Sequence, residues 1–481
     1  MKIDLRAISY INGIVICCLA GAMVIPLVYD FFINFGRCFK IFAPAILASV
    51  FLGGLIILSC RTNEKLNIKR TDLSLLVVSI WISSAIVCAF PFYVYPGVNL
   101  KFASALFEAV SGITTTGATV YQNVEILPRA LNLWRFILHF IGGVGIIAIG
   151  IVILPIIKIG GMELFQTENS DKSQKFFPKA TQTIGFFIWL YVLFIGIIVF
   201  CLRLSGMPLF DSVCHGISAI STGGFSTKNS GIEFFNSNQI KLIMSIGMFI
   251  GGITFLEIIK CFKNGINSFL RNTQTNGYLK LVFFAIFVPI IVETIVNNDI
   301  TFDGITSHIF RTISAITTTG LNFSDEYMHS DTILVTLAVI GSCSGSTTAG
   351  IKIFRIQILF AILAAHIKRL THPYDASTPK YQGKRIDENL THSVIAYILA
   401  LTLTFVTSCV LLGLTENASF PEAVRHVTSC LFNLGYGQNF AALHIGSKAI
   451  LILDMIAGRL EILPIFAALC LLHNRANSPK Q

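Results

Sequence analysis

The sequence predicts an all-α polytopic membrane protein, in which four pseudo-symmetric helix–pore loop–helix repeats surround a central pore and two extra N-terminal transmembrane helices precede them. The 481-residue chain is 54% hydrophobic and only 12% charged, against roughly 25% charged residues in soluble domains. Apolar stretches of about 20 residues, long enough to cross a bilayer, recur along the chain. A Ser/Thr/Gly-rich stretch also recurs between them. Most of the chain therefore cannot face water.

The first element, residues 1–71, is predicted to contain two transmembrane helices at 8–29 and 41–60. Lys2 and Arg6 precede the first apolar span, as basic residues do in a signal peptide. The span is long for a signal peptide, however, and no clear small-residue cleavage site follows it. We therefore expect a retained helix.

Four pore repeats are predicted to follow, at 72–158, 182–262, 278–368 and 391–473. In each repeat, a first apolar span precedes a short segment that ends in a polar stretch, and a second apolar span follows. The second spans are predicted at 133–158, 238–262, 332–368 and 447–472. The polar stretches are Ser111–Gly117, Ser218–Gly224, Ser314–Gly320 and Ser429–Gly435. All four end in Gly, carry Ser six residues earlier and Ile or Leu four residues earlier, and recur at intervals of 107, 96 and 115 residues, which indicates quadruplication of one unit.

The polar stretches are predicted to bind a cation. Non-helical backbone cannot face lipid, because each unpaired N–H or C=O group would cost several kcal/mol there. Four such stretches around one axis would instead point carbonyl oxygens inward and replace the hydration shell of a potassium ion, with Gly supplying the required backbone conformation. Short helices at about 102–112, 208–219, 303–315 and 419–430 would aim their negative C-terminal ends at the ion.

The predicted potassium-binding residues are the last three of each stretch. They are Thr115, Thr116, Gly117, Thr222, Gly223, Gly224, Thr318, Thr319, Gly320, Asn433, Leu434 and Gly435. The fourth stretch continues as Leu434-Gly435-Tyr436-Gly437, which is similar to the Val-Gly-Tyr-Gly core of potassium-channel filters. For any single stretch, ordinary packing of small residues between helices is the alternative. Four copies in register favour a filter.

The basic residues predict the orientation in the membrane. They cluster in alternate loops, which begin near Arg61, Lys158, Lys260 and Lys352. The positive-inside rule makes these loops cytoplasmic, so we expect a multi-pass protein of the bacterial plasma (inner) membrane with both termini in the cytoplasm. The net charge of +10 then reflects orientation, and no nucleic-acid partner is expected.

The sequence carries no pattern typical of an enzyme. Most of the twelve cysteines fall inside apolar spans without metal-ligand spacing. The histidines form no metalloprotease motif, and there is no Gly-rich phosphate-binding loop. We therefore expect no enzymatic activity and no cofactor on this chain, with potassium ions as the substrate.

The chain resembles the TrkH/KtrB superfamily of bacterial potassium transporters over nearly its whole length, most closely the TrkH branch, which also has two extra N-terminal helices. The similar segments are Leu133–Arg135, Gly142–Gly145, Gly160–Leu164, Ser221–Thr227, Gly345–Thr347, Gly350–Lys352 and Gly458–Glu461. The resemblance implies a homodimer in the lipid membrane, with each pore inside one chain. It also implies docking on cytoplasmic TrkA/KtrA-type regulatory subunits, which alone would bind a nucleotide (NAD or ATP/ADP).

The resemblance further implies a gate beneath the filter, formed by a polar intramembrane loop that breaks the second helix of the third repeat. Here the loop is 341–350, and the Arg459 side chain would project into the same constriction. The implied gate residues are Gly341, Gly345, Ser346, Thr347, Gly350, Lys352 and Arg459. The residues themselves agree, because each Gly costs a helix about 1 kcal/mol relative to Ala, and an Arg inside an apolar span is a functional candidate. The alternative for Arg459 is a buried ion pair with Glu461 or Asp454.

Two functions remain open from the sequence. The favoured one is potassium uptake through a gated, potassium-selective pore. The alternative is an ion-coupled secondary transporter, a potassium/proton or potassium/sodium symporter without a channel-like pore. Such carriers usually consist of paired repeats with broken helices in matching halves, whereas four repeats of one orientation suit a radial filter.

Overall fold

The computed structural model describes residues 4–61, 69, 72–149, 180–297, 301–321, 328–372, 378–436 and 439–477, and most of them are helical. Among these residues, seven helices are long and apolar enough to cross a membrane, or up to nine if two bent helix pairs each count as one span. The predicted class of polytopic helical membrane protein is confirmed. The end of the first repeat (150–158), the segment Gly160–Leu164, the basic loop after Lys158 and Gly437 lie outside the described residues.

The N-terminal helices form a close hairpin. Helix α1 is Leu5–Asn34 and α2 is Phe39–Cys60. A Cβ atom built on Gly13 would lie 3.0 Å from the Gly53 carbonyl oxygen, and one on Gly53 would lie 2.9 Å from the Gly13 oxygen. The two helices therefore approach at a contact that only small residues allow.

Each repeat contains a first helix, a short pore helix and a second helix. In repeat 1 these are α3 (Asp72–Val94), α4 (Phe102–Ile113) and α5 (Arg129–Ala148). In repeat 2 they are α6 (Ala180–Leu204), α7 (Leu209–Ser221) and α8 (Asn238–Gly251), which α9 (Phe255–Asn264) and the short α10 (Ile266–Arg271) follow.

Repeats 3 and 4 follow the same order. Repeat 3 has α11 (Thr273–Asn297), α12 (Phe302–Ile316) and a second helix divided into α13 (Met328–Ile340) and α14 (Ile353–Thr371). A two-stranded antiparallel hairpin, β1 (Lys380–Tyr381) and β2 (Lys384–Arg385), connects it to repeat 4. Repeat 4 has α15 (Glu388–Glu416), α16 (Phe420–Leu431), α17 (Ile445–Arg459) and α18 (Leu463–Asn477). The four short helices therefore occur where the sequence predicts them.

Two of the predicted second spans are sharply bent. The span at 238–262 bends by 91° between α8 and α9, and the span at 447–472 bends by 108° between α17 and α18. At the first bend, the carbonyls of Gly251 and Gly252 accept hydrogen bonds from the Thr347 and Cys343 amides of the third repeat. These two amides take the place of the amides that a further helical turn would supply, so α8 ends here. At the second bend, Glu461 and Ile462 take left-handed φ angles of 62° and 55°.

The buried apolar residues form two main cores. One core joins the N-terminal hairpin to repeats 1 and 4, and includes Phe42, Trp134 and Met455. The other joins repeats 2 and 3, and includes Met248 and Phe310. Each core holds two neighbouring repeats together, and this packing fixes the positions of the four pore helices.

Candidate functional site

The four polar stretches form one closed ring in chain order. A Cβ atom built on Gly117 would lie 2.5 Å from the carbonyl oxygen of Gly223 in the second stretch. Equivalent atoms on Gly224, Gly320 and Gly435 would overlap with the carbonyl oxygens of Thr319, Leu434 and Thr116 respectively. Repeat 1 therefore contacts repeat 2, and so on until repeat 4 contacts repeat 1. The structure thus brings all twelve predicted potassium-binding residues together, and each of the four glycines lies where no side chain fits.

The backbone takes the same conformation in all four stretches. The residue two before each glycine has a left-handed φ: 51° at Thr115, 50° at Thr222, 52° at Thr318 and 49° at Asn433. The glycines follow with φ of 86°, 79°, 72° and 70°. Left-handed backbone is sparsely populated by residues other than Gly, so its fourfold recurrence marks a conformation that the surrounding structure imposes.

Hydrogen bonds tie each stretch to the end of its pore helix. The amide before each glycine donates to the carbonyl of the first Ser: Thr116 to Ser111 at 2.9 Å, Gly223 to Ser218 at 2.9 Å, Thr319 to Ser314 at 2.8 Å and Leu434 to Ser429 at 2.8 Å. Within the described part of the chain, the carbonyls of Thr116, Gly223, Thr319 and Leu434 accept no hydrogen bond. All four residues are buried. Buried carbonyls are seldom left without a partner, so this ring is suited to a cation.

A water-sized passage leads to the ring from one side. A cavity of about 360 Å³ is lined by all four filter glycines, Gly117, Gly224, Gly320 and Gly435. Its walls include Tyr121, Arg135, Phe225, Lys228, Glu233 and Tyr436. The ring is therefore open to a cavity with space for water, through which a cation could reach it.

A buried ion pair braces this side of the ring. Arg135 Nε lies 2.8 Å from Glu108 Oε1, and the two side chains are 1% and 0% exposed. Glu108 also accepts a hydrogen bond from the Val120 amide at 2.9 Å. The Arg135 guanidinium donates to the Ser226 carbonyl at 3.3 Å and lies 3.9 Å above the Phe225 ring. The pair thus connects the segments that follow the first two filter stretches.

Sequence reasoning missed the role of this pair. From the sequence, Arg135 was named only within the segment Leu133–Arg135 that is similar to the TrkH/KtrB superfamily, and Glu108 was not named. The available signal was a lone carboxylate in the apolar pore helix α4 together with an Arg in the interior of α5. Charges in apolar segments generally require a partner.

The predicted gate loop is a true helix break that contacts the filter. Gly341, Gly345 and Gly350 have φ of 71°, 72° and 87°, and the loop is almost wholly buried. Thr347 accepts a hydrogen bond at its carbonyl from Thr222 Oγ1 at 3.1 Å. The Ala349 amide donates to Thr318 Oγ1 at 2.9 Å. The loop is therefore attached directly to the filter stretches of repeats 2 and 3.

A side-chain network holds the loop in shape. Thr348 Oγ1 contacts the hydroxyls of Ser342 and Ser346, the latter at 2.8 Å. The Lys352 ammonium group donates to the Thr348 carbonyl and lies 3.3 Å from its Oγ1. Thr348 was absent from the predicted gate residues, yet it connects the two ends of the loop. Ser346 and Lys352 take part through it.

Arg459 contacts the same loop. Its Nη1 donates to the Thr347 carbonyl at 2.6 Å and its Nη2 to the Gly142 carbonyl at 3.3 Å. The predicted alternative, a buried ion pair, is not found among the described residues, because Glu461 pairs with Arg355 and Asp454 accepts from Ser408. The guanidinium is 2% exposed and is held by neutral carbonyl oxygens. Its positive charge is thus uncompensated by any nearby carboxylate in the described structure.

These features define a polytopic helical membrane protein built from four pore-loop repeats. The family model described as TrkH, cation transport protein, matches residues 39–480, and the chain belongs to this family. It is 31% identical over 474 residues to the Trk system potassium uptake protein TrkG of Escherichia coli K12, with 96% of each chain covered.

It is also 30% identical over 469 residues to the Trk system potassium uptake protein TrkH of Salmonella typhimurium, covering 95% of this chain and 96% of that one. The crystal structure of the potassium transporter TrkH from Vibrio parahaemolyticus superposes with a TM-score of 0.87 at 27% identity, over 96% of this chain and 98% of that chain.

Proposed function

We propose that this chain takes up potassium across the plasma membrane through a gated, potassium-selective pore, as the conducting subunit of a Trk-type system. The observation that carries the proposal is the closed ring of four buried carbonyls, at Thr116, Gly223, Thr319 and Leu434, that accept no hydrogen bond in the described structure. A dehydrated cation would supply their missing partner. Relatives that match nearly the whole chain are named potassium uptake proteins, which supports potassium as that cation.

The pore helices add to the attraction for a cation. Helices α4, α7, α12 and α16 each end at a filter stretch, at Ile113, Ser221, Ile316 and Leu431. The C-terminal end of a helix carries about half a negative charge, which favours a cation near it. Four such ends around one ring therefore offset part of the cost of dehydrating the ion.

The gate of the proposed pore is the loop 341–350 together with Arg459. The loop is buried, is bonded to two filter stretches and accepts the Arg459 guanidinium at Thr347. At an effective dielectric near 20, two unit charges ~4 Å apart interact by about 4 kcal/mol. A fixed guanidinium without a carboxylate partner would thus oppose the passage of potassium until the loop and α17 move.

The assembly is proposed from the resemblance and the charge pattern. Basic residues end α14 (Lys368, Arg369) and lie on the hairpin (Lys380, Lys384, Arg385). This face would be cytoplasmic, as would both termini, and would receive a nucleotide-binding TrkA/KtrA-type regulatory subunit. The conducting chain would form a homodimer and bind no nucleotide itself. The relatives' designation as parts of a Trk system supports further subunits.

Flux in liposomes tests the proposed function and separates it from symport. Purified protein is reconstituted, and potassium uptake is measured with and without an imposed proton or sodium gradient. A selective pore predicts uptake that follows the potassium gradient alone and exceeds sodium uptake. Uptake against the potassium gradient that needs a proton or sodium gradient would contradict the pore and establish symport.

A further inference from the structure

The His139 imidazole occupies the space behind the second filter stretch. His139 lies on α5, is fully buried and stands three residues before Gly142. A Cβ atom built on Gly223 would overlap with three atoms of its ring. The ring also stacks on Phe225, with centroids 4.3 Å apart and an angle of 13° between the planes. While His139 is present, Gly223 cannot carry a side chain.

The opposite arrangement occurs between repeats 3 and 4. Ala338 lies on α13, three residues before Gly341, and packs in one buried cluster with Leu434 and Tyr436. Leu434 has the same place in its filter stretch as Gly223, directly before the glycine. Here a small helix residue is combined with a large filter residue. At the second stretch, by contrast, the large His139 is combined with Gly223, which has no side chain.

The remaining two repeats carry a long, flexible Met at the helix register and a medium-sized Thr at the filter register. Met248 and Met455 stand three residues before Gly251 and Gly458, and both are fully buried. The following filter stretches in the ring carry Thr319 and Thr116 before their glycines, both also buried. Around the ring, the helix residue and the filter residue of the next repeat are therefore His and Gly, Met and Thr, Ala and Leu, and Met and Thr.

We propose that the second helix of each repeat positions the filter stretch of the next repeat through the residue pairs at these two registers, and that His139 fixes the Gly223 carbonyl in this way. The proposal rests on the ring being the potassium filter. The role is steric, since neither ring nitrogen of His139 has a hydrogen-bond partner in the described structure. Protein interiors are close-packed, so a missing ring would let the Gly223 backbone shift.

A double-mutant cycle tests the pairing. His139→Met and Gly223→Thr are made singly and together, which converts this pair to the type in repeats 2 and 4. We measure the melting temperature in detergent and the potassium over sodium permeability ratio in liposomes. Gly223→Thr alone should destabilise the protein and lower the ratio by about tenfold, the effect of ~1.4 kcal/mol in differential ion binding. The double variant should recover most of both losses.

Two further variants separate packing from other roles. His139→Phe keeps a ring without nitrogens and should retain the permeability ratio, whereas a role for the nitrogens predicts its loss. Ile137→Ala, a buried position on the same helix, should lower stability without changing the ratio. Two results would overturn the pairing. One is a double variant whose losses of melting temperature and permeability ratio equal the sum of the single losses. The other is a lowered permeability ratio in His139→Phe. If the parent protein does not select potassium over sodium, the proposed function is refuted instead. Non-additive changes in melting temperature would still show that His139 and Gly223 interact.

Discussion

Arg459 and Thr347 are joined by a 2.6 Å hydrogen bond from the guanidinium Nη1 to the carbonyl oxygen. Thr347 also accepts from Thr222 of the second filter stretch at 3.1 Å. Helix α17 of repeat 4, the broken helix of repeat 3 and the filter of repeat 2 therefore meet at one residue. A movement of the loop would change the surroundings of the charge and of the filter together.

Neutralising this charge should speed conduction. Arg459→Gln removes the repulsion of an approaching cation but keeps an amide that can donate to Thr347. We expect potassium flux per detergent-stable molecule to rise several-fold, with little change in melting temperature. A structural ion pair would predict the reverse, since a buried carboxylate left alone costs about 3–5 kcal/mol. Marked loss of stability without faster flux would refute the proposed role of the Arg459 charge in opposing the passage of potassium.

Shortening the loop should open the pore at rest. We expect deletion of about half of 341–350 to raise basal flux and to weaken dependence on the regulatory subunit, because the deletion removes polar backbone from the conduction path. Flux is compared with the parent, with and without that subunit. If the variant folds, reaches the membrane and conducts no faster, the gate lies elsewhere.

The first filter glycine should limit sodium flux. A side chain on Gly117 would press on the Gly223 carbonyl, 2.5 Å from the added Cβ. We expect Gly117→Ser to raise sodium relative to potassium permeability by about tenfold, as a ~1.4 kcal/mol change in ion preference would. Gly145→Ser serves as the control, because its Cβ would meet only Trp81, at 3.9 Å. Unchanged permeability ratios in Gly117→Ser would argue against the filter residues.

The buried pair Arg135–Glu108 should matter more for stability than a pair whose carboxylate faces solvent. Arg135→Leu leaves Glu108 buried without its cation, and we expect a loss of about 3–5 kcal/mol. Lys241→Leu is the matched control, because its partner Asp303 is 65% exposed and can remain hydrated. Loss of Lys241 leaves no buried carboxylate unpaired, so we expect Lys241→Leu to cost less than Arg135→Leu. Thermal unfolding in detergent compares the two variants. Equal losses of stability would show that the Arg135–Glu108 pair contributes no more than the Lys241–Asp303 pair.

The repeats could be predicted because the signal for each lies within a short segment. The four polar stretches, their glycines and the short helices before them are visible as a local pattern, and the described structure places them in one ring. The bends after Gly251 and Arg459 could not be predicted in this way, because the two helices of each bent pair together have the length and composition of a single apolar span. The bend after Gly251 depends on Thr347 and Cys343 of another repeat.

Contacts between repeats were the part that the sequence did not reveal. Glu108 and Arg135 each look like an isolated charge until the fold brings them together. A comparison of the four stretches shows Gly at position 223, where two of the others have Thr. Gly is required there because the His139 ring of the neighbouring repeat leaves no room for a side chain. The roles of the predicted filter and gate residues in transport stay predictions that the experiments above address.

The most direct measurement is anomalous scattering from crystals grown with thallium or rubidium ions, which substitute for potassium. We expect anomalous peaks on the axis of the ring, bounded by the carbonyls of Thr116, Gly223, Thr319 and Leu434. Crystals of Gly117→Ser should show weaker peaks at the same place, and crystals in sodium alone should show none. Strong peaks elsewhere in the membrane region with an empty ring would contradict the assignment of these stretches as the ion filter.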